Sequence, residues 1–132
     1  MTKEELSKYY YLKQEIKQIE DKIKEIDSTF MRASLINCEK FERKLSNPQE
    51  KRMILIEKYE QKLEIAINKS IEELIKIEEF INSIEDPENR MIFRYRYIEL
   101  KSWNEISSLI HISRSAIFER HNKISTLIGF SV

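Results

Sequence analysis

The chain has 132 residues, 35% of them charged, with 23 basic and 23 acidic side chains, one glycine and two prolines. That length suits one domain, or a small domain plus an extended element, and so little Gly and Pro beside abundant Ile, Leu, Lys and Glu points to nearly all α-helix. The lone Cys38 excludes an internal disulfide, and one glycine cannot build a glycine-rich phosphate loop.

In chain order, Tyr9, Leu12, Ile16, Ile19, Ile23, Ile26 and Phe30 recur at spacings of three and four, predicting a helix with one apolar seam. Residues 31–47 lose that rhythm. Cys38, Phe41 and Leu45 allow a helix to continue, but Leu45-Ser-Asn-Pro48 predicts a break, with Asn47 as cap and Pro48 at the first helical position. A second and longer helix is predicted from Pro48 to Glu85. Its seam is Leu63, Ile67, Leu74, Ile77, Ile81 and Ile84, with Ser70 in one seam position and Ile56 and Met53 extending it N-terminally. Ile54, Leu55, Tyr59, Ile65, Ile71, Ile75 and Phe80 widen the stripe beyond a two-stranded seam, so this helix is expected to meet more than one neighbour. The two helices are expected to pair as an antiparallel coiled-coil hairpin whose longer member overhangs, covered by a second copy of the chain.

Asp86-Pro87 marks the next boundary, a capping residue before proline. A helix over 88–99 is predicted to present Met91, Ile92, Tyr95 and Ile98 inward. Ser102-Trp-Asn-Glu105 is a capping box, in which the serine oxygen and the glutamate satisfy two otherwise unpaired backbone N–H groups. It opens a short helix with an apolar stripe of Ile106, Leu109 and Ile110. His111-Ile112 forms a turn, and Ser113 caps a last helix whose core residues are Ala116, Ile117 and Ile124. Leu127 and Ile128 extend that helix until Gly129 ends it. The fold class is therefore all-α: a helical coiled-coil region over 1–85, then a three-helix unit over 86–132.

The last 47 residues carry a specific pattern. Asp-Pro at 86–87, Arg-Tyr-Arg-Tyr-Ile-Glu-Leu at 94–100, Ser-Trp-Asn-Glu-Ile at 102–106 and Ile-His-Ile-Ser-Arg-Ser-Ala-Ile at 110–117 resemble region 4 of the bacterial sigma factors. The chain as a whole resembles phage and prophage transcriptional regulators of the RinA/ArpU type. The resemblance implies a helix-turn-helix, DNA binding and activation of late phage genes. Three positions depart from its pattern. His111 stands where glycine is usual, and Arg120 and Ser125 stand where the final helix normally keeps apolar core residues.

With Ser113 as cap, Arg114, Ser115, Phe118, Glu119 and Asn122 fall opposite Ile117 and Ile124, on the face a recognition helix turns to the major groove. Arg can bond guanine bidentately, Glu can accept from cytosine, and Phe can touch a thymine methyl. The alternative for these residues is structural, with Phe118 packed on a neighbour and Arg114 and Glu119 paired on the surface. Lys101, Ser102 and Trp103, at the start of the preceding helix, are phosphate-contact candidates. Arg94, Arg96 and Lys123 are further candidates, with ordinary solvated charge as the alternative.

Charge is distributed to suit that reading. Residues 1–86 hold 16 Lys/Arg against 19 Asp/Glu, and residues 87–132 hold 7 against 4. No metal-ligand spacing exists among His111, His121 and Cys38, and Glu72-Glu73 and Glu78-Glu79 belong to a solvated helix face, so neither a cofactor nor enzymatic catalysis is expected. No apolar run approaches the ~18 residues of a membrane span, and the expected compartment is the bacterial cytoplasm. The expected partners are double-stranded DNA, a second copy of the chain as a dimer, and RNA polymerase. A DNA-packaging protein similar to the small terminase subunit, or a helical interaction protein without DNA contact, are the alternatives.

Overall fold

The computed structural model describes the backbone of residues 1–36 and 48–127, and the side chains of 1–29 and 48–126. The expected features at Phe30, Cys38, Phe41, Leu45, Asn47, Ile128 and Gly129 lie outside the described residues or side chains. The described residues are all-α: α1 (Lys3–Ile36), α2 (Pro48–Asn82), α3 (Pro87–Tyr97), α4 (Trp103–Ile110) and α5 (Arg114–Leu127).

The expected overhang of α2 over a shorter first helix is corrected. The two are nearly equal, 34 and 35 residues. The first begins earlier than its seam, because Thr2 and Glu5 form a capping box: Glu5 N–H donates to Thr2 Oγ1 at 3.2 Å and Thr2 N–H to Glu5 Oε2 at 2.9 Å. It also runs on to Ile36 past the lapse in periodicity, since residues 31–36 contain no Gly or Pro to stop it.

The chain divides into two compact units. One comprises Gln14–Asn68. Its core is Ile16, Ile19 and Ala66, with Ile23, Tyr59 and Leu63 packed against it. The Arg52 guanidinium pairs with Asp27, so within this unit α1 and α2 run antiparallel, Ile16 and Ile19 lying beside Ala66 and Asp27 beside Arg52. Much of the widened stripe is on the surface, with Met53, Ile54 and Ile65 each more than half exposed and Leu55 and Ile67 at 37%.

The other unit comprises Met1–Lys13 and the described residues from Lys69 onward. Leu6 and Tyr9 of α1 pack with Ile77, Ile81 and Ile84 from α2 and its end and with Phe93 and Tyr97 of α3. A second cluster joins α3, α4 and α5 through Ile92, Ile106 and Ile117, with Tyr95, Trp103, Ile110 and Ile112 against it. The expectation for α3 is therefore only partly right. Ile92 is buried and Tyr95 and Ile98 are partly so, but Met91 is 46% exposed, while Phe93 and Tyr97, not expected inward, are at 0% and 8%. The reason is that α3 has two buried sides, one for each cluster.

Candidate nucleic-acid interface

The local geometry of α3–α5 follows from its caps. Asp86 accepts from Glu88 N–H at 3.0 Å with Pro87 at the first helical position. Both halves of the Ser102–Glu105 box form, at 3.2 and 3.1 Å. Ser113 accepts from Ala116 N–H at 3.3 Å, which starts α5. Between α4 and α5, His111 adopts the left-handed conformation, φ 57° and ψ 37°. Ser107 Oγ donates to Ile112 O at 2.6 Å and ties the turn back to α4. A side chain with a Cβ pays a steric penalty at His111, so His111→Gly is expected to raise stability by about 0.5–1 kcal/mol. A urea titration checks this, and a lowered midpoint would show that the imidazole makes a stabilising contact. Leu100 is also left-handed, φ 58°, where the chain turns from α3 into α4 and Lys101 N–H reaches Tyr95 O at 2.9 Å.

The five base-contact candidates come together. Arg114, Ser115, Phe118, Glu119 and Asn122 line one open concavity along α5, and all five are exposed, Phe118 at 47%. Among the described residues Arg114 pairs with no carboxylate, so the alternative of an Arg114–Glu119 ion pair is not formed. The Phe118 ring packs edge-on against Trp103 at 5.5 Å, while half its surface faces solvent.

The phosphate-contact candidates separate. Arg94 is occupied by Glu78, donating to both carboxylate oxygens at 2.8 and 2.9 Å. Arg96 lies over the Trp103 ring, 4.5 Å from its centroid, and donates to Lys101 O at 3.1 Å. Ser102 is exposed and Trp103 and Lys101 are half-buried at the head of α4. Lys123 is exposed on α5. Arg120 forms an ion pair with Glu88 at 2.9 Å, joining α5 to the start of α3, and Ser125 is fully buried, its hydroxyl donating to His121 O at 2.8 Å. Both polar residues are thereby accommodated at positions where the resemblance implies apolar ones.

Behind the α5 surface lies an aromatic cluster that the sequence reading missed. His121 is 5% exposed, stacked on Phe93 at 4.9 Å and 17°, edge-on to Trp103 at 5.0 Å, and hydrogen-bonded through Nε2 to the Tyr97 hydroxyl at 2.5 Å. Burial holds the imidazole down at about 4 against the opposing hydrogen bond with Asn122, and the Lys3 and Arg96 charges add to the effect. Burial also pushes the Tyr97 hydroxyl up to about 12, with Arg96 opposing. The signal was available: His121 follows Ile117 by four and precedes Ile124 by three, on the core face of α5.

These five helices, with their exposed α5 face, define an all-α protein with a paired-helix end. The chain belongs to the family described as protein of unknown function (DUF1492), whose profile matches residues 42–128. No curated protein and no solved structure matches the chain. Among the described residues no helix is long and apolar enough to cross a membrane.

Proposed function

We propose that this protein is a sequence-specific DNA-binding transcriptional regulator, and that α5 is its recognition helix. The observation that carries the proposal is the gathering of Arg114, Ser115, Phe118, Glu119 and Asn122 on one exposed face, following a short capped helix and a tight left-handed turn. Short helices joined this way cross steeply and present the second helix to a groove. Arg114 brings an uncompensated guanidinium suited to guanine. Phe118 packs against Trp103 yet stays 47% exposed, which leaves apolar ring surface for a thymine methyl. The resemblance to RinA/ArpU-type regulators narrows the role to activation of late phage genes, in contact with RNA polymerase. The exposed isoleucines of α2 suit a dimer, in which two linked readers gain affinity through effective concentration.

Selection of bound fragments from the encoding genome with the purified full chain tests this. Enrichment of promoter fragments, with affinity falling steeply as salt rises, is the expected result. Salt-independent or absent retention would refute DNA binding. Enrichment of packaging sites by a ring of many copies would replace regulation with DNA packaging. On a selected duplex, Arg114→Ala is expected to cost about 1–3 kcal/mol and to relax preference at one base pair. A uniform loss across all sequences would remove Arg114 as a reader of bases.

A further inference from the structure

The unit formed by Met1–Lys13 and the residues from Lys69 onward has a second concavity, partly walled by the first helix. Ser7, Tyr10 and Tyr11 come from α1, Arg96 and Leu100 from α3 and the turn after it, and Ser102 from the head of α4. No carboxylate lines this hollow, and Arg96 is the one charged residue in its wall.

Arg96 differs from its neighbours. Arg94 is paired with Glu78, and Arg90 donates to the carbonyls of Ile84 and Glu85. Among the described residues Arg96 has no carboxylate partner, and one bond to Lys101 O leaves further N–H donors on its guanidinium. Tyr10 and Tyr11 are 44% and 68% exposed and meet edge-on at 5.4 Å, so two phenol hydroxyls border the same hollow. Side-chain contacts link the hollow to the α5 face. Arg96 stacks on Trp103, and Trp103 touches Phe118.

We propose that this hollow receives a backbone phosphate of the bound duplex, so that α1 takes part in DNA binding through Tyr10 and Tyr11 beside Arg96. The inference rests on the DNA-binding reading above and extends it to a helix outside the α3–α5 unit. Arg96 supplies the charge, and the two phenol hydroxyls supply neutral donors that position a phosphate without reading sequence.

The test uses the full chain and a duplex recovered in the genomic selection. The double variant Tyr10→Phe/Tyr11→Phe keeps both rings and removes only hydroxyls. It is expected to weaken binding about 5-fold or more, and to abolish the effect of ethylating one phosphate beside the site read by α5. Arg96→Gln is expected to make the salt dependence shallower by about one ion. If both variants bind with unchanged affinity and salt dependence, the hollow holds no phosphate, although the DNA-binding reading stands. If the double variant changes the assembly mass and not DNA affinity, the tyrosines serve a second copy of the chain and the inference is wrong. If the unmodified chain retains no duplex, the reading and the inference fall together.

Discussion

Replacing Phe93 with alanine is expected to destabilise the protein by about 3–5 kcal/mol, a large part of the ~5–15 kcal/mol that holds a typical domain folded. Phe93 is fully buried where three elements meet. Its ring lies 6.0 Å from Phe80 of α2, 5.6 Å from Tyr97 on its own helix and 4.9 Å from His121 of α5. Truncation loses the transfer free energy of the ring and leaves a cavity whose walls belong to separate helices and cannot easily close. Met91→Ala, two residues away on the exposed side of α3, is expected to change stability by less than about 0.5 kcal/mol. Urea unfolding of both variants checks the contrast, and equal losses would mean that α3 is packed differently.

Acidification from pH 7 to pH 4 is expected to remove about 2–3 kcal/mol of stability through His121 alone. The imidazole is held at about 4 in the folded protein by burial, against an ordinary value of 6.5. Between those values the unfolded chain binds a proton that the folded chain excludes, so unfolding takes up a proton and is favoured as pH falls. The contribution is fully present above pH 6.5, shrinks as pH drops, and levels off below about 4. Lys3 of α1 and Arg96 of α3 both oppose protonation, and Tyr97 stays neutral across the range. His121→Gln is expected to flatten the stability profile between pH 6.5 and 4 whatever its stability at pH 7. Carboxylates titrate in both proteins and cancel in the comparison. Parallel profiles would show that His121 is not the group responsible.

What could be read from the residues alone was the punctuation. Asp86-Pro87, Ser102-Glu105 and Ser113 each satisfy orphan backbone N–H groups by local bonds, so the starts of α3, α4 and α5 follow from three or four adjacent residues. The exposed face of α5 was legible for the same reason, because Ser113 fixes the phase of the helix and Ile117 and Ile124 mark its inner side. The inner sides of α3 were not. With Met91, Ile92, Phe93, Tyr95, Tyr97 and Ile98 in so short a stretch, apolar residues surround the helix. A one-stripe rule picks Met91 and Ile92 when tertiary packing picks Ile92 and Phe93. The signal for the Thr2–Glu5 box was present, since Leu6 and Tyr9 follow it at helical spacing, whereas Tyr10 and Tyr11 resemble packing residues without being buried. The company kept by His121 depends on contacts from α3 and α4 and has no local signature beyond its spacing from Ile117 and Ile124.

The clustering of Leu6 and Tyr9 with Ile77, Ile81, Phe93 and Tyr97 has a consequence for biosynthesis. Leu6 and Tyr9 precede these partners by about 70–90 residues in the order of synthesis. Until the partners emerge, the apolar side that Leu6 and Tyr9 form lacks its native cover, and contacts so distant in sequence form late in folding. A fragment containing only residues 86–132, the natural choice for isolating α3–α5, would lack Leu6, Tyr9, Ile77 and Ile81 and expose the sides of Phe93 and Tyr97 that they cover.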